Sequence, residues 1–218
     1  MIIDSEAAAK DWLAGRLGIG HDAMERLEVL AELLLVENSR QNLIAGGTVP
    51  HLWQRHISDS AQLLAVPRET IPDGTWLDLG TGAGFPGLVI AAIQPQRRVV
   101  LVDSRRLRTV WLERTALALE LDNVEVRHAR VQDLDPCDAA VISARAFAPL
   151  PKLLAFSARF SSPKTLWLLP KGASAAHELE MLPKTWNHAF HVEQSLTDDS
   201  AGIIAGRLLG GPGMGYSR

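Results

Sequence analysis

Apolar positions along the chain change period near residue 70. Over residues 5–18, Ala7, Ala8, Ala9, Trp12, Leu13 and Leu17 keep helical spacing and stop at Gly18 and Gly20. From about 22 to 38, Met24, Leu27, Leu30, Ala31, Leu34 and Leu35 recur at i, i+3, i+4, i+7 and predict a second helix. The loop Ala45-Gly46-Gly47-Thr48-Val49-Pro50 then leads to a third helix over 51–64, with Trp53, Ile57, Ala61 and Leu64 as its stripe. Beside that stripe lie Arg55, His56, Asp59 and Ser60, and the Arg55–Asp59 spacing predicts an i, i+4 ion pair worth about 0.3–0.5 kcal/mol.

Past Pro67 and Pro72, short apolar runs alternate with helical patterns. Strands are expected at 75–79, 98–102, 124–128, 138–143 and 165–169, and helices at 87–94, 105–121, 149–160 and 173–182. This alternation predicts an α/β fold whose parallel sheet is covered on both faces. Two final apolar pieces, 186–194 and 201–209, have no helix between them and are expected to pair as a hairpin. The organisation expected is a helical extension over 1–70, an α/β domain over 71–210 and a flexible glycine-rich tail over 211–218.

The first strand runs into Asp78-Leu79-Gly80-Thr81-Gly82-Ala83-Gly84-Phe85-Pro86-Gly87, four glycines within eight positions, and then into a helix. Strand, tight loop and helix in this order let a ligand approach the backbone, with the N–H groups of the helix start expected to face it. Two ligands compete. Gly82 to Gly87 satisfies the dinucleotide pattern G-x-G-x-x-G, and Asp103 follows at the end of the next strand. Asp78, however, would repel a pyrophosphate and attract the sulfonium and ammonium of S-adenosylmethionine, which the pattern therefore favours. In an open sheet the ligand lies beyond the carboxyl ends of the strands. Those ends carry Asp78 and the glycine loop, Asp103 for ribose hydroxyls, Val131-Gln132 for an adenine edge, and Arg145 and Lys171 on the side where a phosphate-bearing substrate arrives.

Composition narrows the class. The chain of 218 residues is 47% hydrophobic and 22% charged, as in ordinary globular proteins, and has no long uncharged apolar run. Its first residues, Met1-Ile2-Ile3-Asp4-Ser5-Glu6, turn acidic early, unlike a signal peptide; a cytoplasmic protein without membrane association is expected. One cysteine, Cys137, excludes an internal disulfide, and seven scattered histidines lack metal-binding spacing, so no metal is expected. The net charge of −3 is unevenly spread: residues 1–69 hold 6 Lys/Arg against 10 Asp/Glu, residues 97–171 hold 13 against 8. Such a basic middle can bind phosphates in an acidic chain.

The acceptor atom is narrowed by what is missing. Methylating a base carbon usually needs a cysteine nucleophile, and Cys137 precedes the fourth strand, at its wrong end. The segment Ser143 to Pro149 has no Asn/Asp-Pro-Pro-aromatic loop of the kind used on adenine amino groups. A ring nitrogen such as guanine N7 has a free lone pair and needs only orientation. A small-molecule methyltransferase, or a catalytically silent RNA-binding protein on the same fold, are the competing readings.

Asn42-Leu43, Arg55-His56-Ile57-Ser58-Asp59-Ser60, Asp78 to Gly87, Val102-Asp103-Ser104, Ser143 to Leu150 and Leu169-Pro170-Lys171-Gly172 together resemble the bacterial ribosomal small subunit methyltransferase G family, also called glucose-inhibited division protein B, over roughly residues 24–209. The resemblance implies a Rossmann-like class I S-adenosylmethionine-dependent methyltransferase sheet with an N-terminal helical extension. It also implies an activity, guanine-N7 methylation in the 530 loop of 16S ribosomal RNA, on RNA or a 30S particle, by an enzyme expected to be a monomer. By the same resemblance Gly80, Phe85, Val131, Gln132 and Arg145 match cofactor-contacting positions, joined by Asp78, Gly82, Gly84 and Asp103 of the cradle. Arg55, His56, Arg145 and Lys171 are the candidate catalytic residues on the substrate side. After Asp103-Ser104, relatives usually carry Lys-Arg or Lys-Lys, whereas this chain has Arg105, Arg106, Leu107 and Arg108.

Overall fold

The computed structural model describes residues 2–212. Among the described residues eight strands form one sheet in the order β3-β2-β1-β4-β5-β8-β6, with β7 also pairing β8. Strands β1 (Trp76–Leu79), β2 (Val99–Asp103), β3 (Val124–His128), β4 (Val141–Ser143) and the first part of β5 (Leu166–Gly172) run parallel, while β6 (Asn187–His188), β7 (His191–Gln194) and β8 (Gly202–Gly210) are antiparallel. The expected hairpin is present as β7 on β8, with His191 opposite Ala205 and Gln194 opposite Gly202. Every residue of β1, β2 and β4 is buried, as expected of central parallel strands covered on both faces, whereas the edge strand β3 leaves Arg127 and His128 exposed.

Period-two alternation divides the core between the two faces. Trp76, Leu101, Val141 and Leu168 point into one cluster; Leu77, Val102, Ile142 and Trp167 point into the other. Helices α6 (Leu150–Ser157) and α7 (Ala175–Glu180) cover the second face. The first face is covered by α4 (Gly87–Ile93) and α5 (Arg106–Ala118), and also by α1 (Glu6–Asp11) and α2 (His21–Gln41), whose Ala9, Leu27, Leu30 and Leu34 belong to the same continuous cluster. The N-terminal helices are thus packed into the core of the sheet. Glu6 at the start of α1 accepts the amides of Trp53 and Gln54, both at 2.9 Å, and Ile3 N–H donates to Leu196 O at 2.6 Å.

The expected third helix is a mixed helical run over 46–64: a 3₁₀ turn at Gly46–His51, a π turn at Trp53–Ser58, an α turn at Asp59–Ala61, here α3, and a 3₁₀ turn at Gln62–Leu64. A π turn holds more residues than an α turn, so Arg55 and Asp59 no longer stand one above the other. The expected Arg55–Asp59 pair is replaced: Arg55 binds Asp198 at 2.8 Å and Asp59 binds Arg145 at 3.2 Å. Helices α4 to α7 are shorter than their apolar patterns suggest, α5 ending at Ala118 and α7 spanning six residues, whereas α2 runs on to Gln41. Among the described residues no helix is long and apolar enough to cross a membrane. Most of the tail expected over 211–218 lies outside the described residues.

Candidate active site

Because β1, β2, β4 and β5 run parallel and in register, with Asp78 opposite Leu101 and Ser143 and Ser143 opposite Leu168, their carboxyl ends open along one edge. Two cavities lie there. The larger, about 870 Å³, is lined by Arg55, His56, Gly80, Gly82, Phe85, Arg145 and Lys171, among others. The smaller, about 430 Å³, is lined by Gly80, Asp103, Val131, Gln132 and Lys152, among others. The structure therefore brings together nearly all the residues singled out from sequence.

Asp78 and Gly84 line neither cavity. The Asp78 carboxylate is fully buried, accepting the Gly87 N–H at 3.0 Å on Oδ2 and the Ser143 hydroxyl at 2.7 Å on Oδ1. Ser143 in turn accepts from Trp76 Nε1 at 2.8 Å. Burial pushes the Asp78 carboxyl up from its ordinary value. A carboxylate in this position shapes the loop and does not reach into the cavity. Gly84 packs against Leu88, which a Cβ would strike.

The glycine loop itself departs from the sequence expectation, because its N–H groups turn inward. Gly82 N–H donates to Asp103 Oδ2 at 3.0 Å, Gly84 and Phe85 N–H to Thr81 O at 3.0 and 3.2 Å, and Leu88 N–H to Gly84 O at 2.7 Å. With the Gly87 N–H held by Asp78, these four amides and that of Gly87 are engaged within the protein and are not offered to a pyrophosphate. What the loop offers is shape. Gly82 has φ +62, and a Cβ there would meet only Arg105 and the Gly80 carbonyl oxygen, both at 3.8 Å, so the space beside it is open to a ligand.

Asp103 ends β2 with its second oxygen accepting the Arg105 N–H at 2.8 Å, and the Arg105 guanidinium folds over the carboxylate at 3.2 Å. Val131 and Gln132 sit on a 3₁₀ turn, Val131–Asp133, after β3, where a nucleoside base could lie. The cavities are therefore suited to an adenosine at Asp103 and Val131-Gln132 and to a second group near Phe85 and Arg145.

On the substrate side, Arg145 is the hub. Its guanidinium donates to His56 Nδ1 at 3.1 Å, Asp59 Oδ2 at 3.2 Å and Arg55 O at 3.3 Å, and lies 5.1 Å from the Phe85 ring centroid. His56 stacks on the same ring at 5.3 Å. A guanidinium can only donate, so His56 Nδ1 is the acceptor and the imidazole proton sits on Nε2, 2.8 Å from Thr48 Oγ1. Burial, then the nearby Arg145 and Arg55 charges, lower His56 to a pKa of about 3. Lys171 is partly buried, donating to Ala148 O at 2.5 Å and pairing with Glu178 at 3.0 Å; Glu178 also accepts the Leu150 N–H. It pins the segment after β4 and the start of α6.

Sequence reasoning missed Thr48, Ser143, Asp198, Glu178 and Phe147. Asp198 had one usable signal, the turn sequence Thr197-Asp198-Asp199-Ser200; hydrogen bonds from Ser200 and the Arg55 guanidinium bring its carboxyl down to about 2. Arg108, counted with the basic surface, instead donates to Gln41 O and Asn42 O at 3.3 and 2.9 Å and closes the C-terminal end of α2.

The neutral His56 has a consequence for stability. Its folded value lies below the ordinary 6.5, so its contribution is whole above pH 6.5 and is lost as pH falls towards about 3. The expected slope from this group is about 1.4 kcal/mol per pH unit. Urea unfolding of wild type and His56→Gln on either side of pH 6.5 checks it: the wild type should lose stability with acid more steeply, and equal slopes would refute the assignment.

Several known proteins share this architecture. A methyltransferase from Aquifex aeolicus described as SAM dependent superposes with TM-score 0.56 at 16% identity, covering 73% of this chain and 94% of the other. A ribosomal protein L11 methylase from Lactobacillus delbrueckii gives 0.55 at 14% identity, covering 71% and 79%. These likenesses concern the fold. In sequence, ribosomal RNA small subunit methyltransferase G of Novosphingobium aromaticivorans is 66% identical over 97% of this chain and 92% of its own length, and that of Erythrobacter litoralis 53% identical over 94% and 98%. With the family model for rRNA small subunit methyltransferase G matching residues 23–202, the chain belongs to the rRNA small subunit methyltransferase G family.

Proposed function

We propose that this protein is an S-adenosylmethionine-dependent methyltransferase that methylates N7 of a guanine in the 530 loop of 16S ribosomal RNA, in the cytoplasm, on RNA or a 30S particle. The observation that carries the choice of acceptor is the pairing of the acids. Asp59, Glu178 and Asp198 line the larger cavity, and each is bound to a cation: Arg145, Lys171 and Arg55. His56 has its Nδ1 lone pair engaged by Arg145. Each of these acids and the His56 Nδ1 is thus already engaged by a cation, and Cys137 is exposed and does not line the cavity. A nucleophile that must first be deprotonated or covalently activated is poorly served here; a ring nitrogen with a free lone pair is not.

When bound, S-adenosylmethionine supplies an electrophilic methyl group on a sulfonium. Asp103 would hold the ribose, with Val131 and Gln132 at the adenine, while Gly80, Gly82 and Phe85 shape the path towards the substrate side. Arg145 fixes His56, Asp59 and the Phe85 face as one rigid wall, so catalysis rests on holding the base in line with the methyl. The basic middle of the chain, 13 Lys/Arg against 8 Asp/Glu over residues 97–171, supplies the positive potential that draws the RNA backbone.

Two measurements test this. Labelled methyl groups should enter guanine, as 7-methylguanosine, when 30S particles are the acceptor; label only in adenine, or only in a small metabolite, would refute it. Calorimetry should show S-adenosylmethionine binding to wild type and about 100-fold weaker or undetectable binding to Gly82→Asp, where an added carboxylate fills the open space. Equal affinities would remove the loop from the cofactor site.

A further inference from the structure

The Phe147 ring has no part in the roles above, yet it occupies the centre of the site. Gly80, Arg105 and the segment Ala146-Phe147-Ala148 line both cavities and so form the wall between them. Phe147 lies directly on Gly80: a Cβ built on that glycine, whose φ is +65, would collide with ring atoms Cδ2, Cε2 and Cγ. Phe147 also packs against the buried cluster containing α6.

The segment that carries the ring is tied on both sides. Arg145 is bound to His56, Asp59 and Arg55 O, and Ala148 gives its carbonyl oxygen to Lys171. Between these ties Ala146 has φ +51, a left-handed conformation that alanine keeps only when its surroundings impose it. The ring is therefore presented to Gly80 by the fold around it.

We infer that Phe147 is a positioning residue that partitions the site, and that a ligand occupying both cavities must lift its ring from Gly80. The inference rests on the cofactor reading above. Adenosine would fill the cavity at Asp103 and Val131-Gln132, and methionine the one at His56 and Arg145; neither half crosses Gly80. The intact cofactor does. Displacing the ring then subtracts from the affinity of the joined molecule and leaves that of its halves unchanged. In the free protein the two cavities stay separate, and with ligand they become one.

Calorimetry with S-adenosylhomocysteine and with adenosine tests this on wild type, Phe147→Ala and Phe147→Leu. Phe147→Ala should bind S-adenosylhomocysteine about three- to tenfold more tightly than wild type, with adenosine affinity unchanged. Phe147→Leu, whose side chain still covers Gly80, should stay near wild type. With 4-fluorophenylalanine introduced at position 147, the fluorine resonance should move on adding S-adenosylhomocysteine and not on adding adenosine. Equal or weaker S-adenosylhomocysteine binding by Phe147→Ala overturns the partition, as does a resonance that adenosine moves as far. Wild type that binds no S-adenosylhomocysteine overturns the cofactor reading and the partition with it, so the two failures are told apart by which protein fails to respond.

Discussion

Replacing Arg145 by alanine should lower turnover on 30S particles about 100- to 1,000-fold while the protein stays folded, the range seen when one preorganised charged donor is removed from a reacting centre. Three hydrogen bonds and the cation over Phe85 vanish together. His56 then loses the donor on Nδ1 that fixes its tautomer, and the wall beside Phe85 loses its brace. Stability should suffer far less. The Arg145–Asp59 pair is about one-fifth exposed on each side, and Asp59 keeps its bonds to Thr197 and Gln62 through Oδ1, so a loss of about 1 kcal/mol is expected. Arg145→Lys is the control: it keeps the charge and loses the fork, and should fall between the two. Single-turnover rates on 30S particles, with melting temperatures alongside, decide the matter. An alanine variant with wild-type turnover would remove Arg145 from the reaction.

The legibility of this chain in sequence follows the range of the interactions involved. Strands β1 to β5 were readable because each is a run of apolar residues closed by turn chemistry, and β3 was placed to the residue. Parallel topology then put Asp103, Arg145 and Lys171 at one edge without further information. Pairings between distant segments were not readable. Arg55 and Asp59 looked like partners because helical spacing was assumed; a π turn and two segments far along the chain, at Arg145 and Asp198, redistributed them. Lys171 looked catalytic because it ends a strand, and only Glu178 and Ala148 show it bracing a loop. Phe147 stood inside the segment Ser143 to Leu150 that carries the resemblance but gained no role of its own, since an aromatic between two alanines after a strand is ordinary until Gly80 is seen beneath it.

Asp78 is where reading and geometry part most sharply, and a second large effect separates them. From sequence, its charge should attract the sulfonium directly. In the fold, its two oxygens hold the Gly87 N–H and the Ser143 hydroxyl, and it lines neither cavity. The two roles predict different ligand dependence. If charge attracted charge, Asp78→Asn would weaken S-adenosylmethionine much more than S-adenosylhomocysteine, which lacks the sulfonium. If Asp78 supports the loop, both affinities should fall together, by about tenfold or more, because the loop must be reordered before either ligand binds. Asp78→Ala should go further. It leaves two buried donors without an acceptor, at about 1–3 kcal/mol each, partly offset by removing a buried charge, for a net loss of about 2–4 kcal/mol. Parallel loss of both ligands with a lowered unfolding midpoint is the expected result, and loss confined to S-adenosylmethionine would restore the direct electrostatic role. The inward-turned amides point the same way: the Gly82, Gly84, Phe85 and Gly87 N–H groups are already engaged and so are not offered to a phosphate, and Asp78 helps by keeping the last of them occupied.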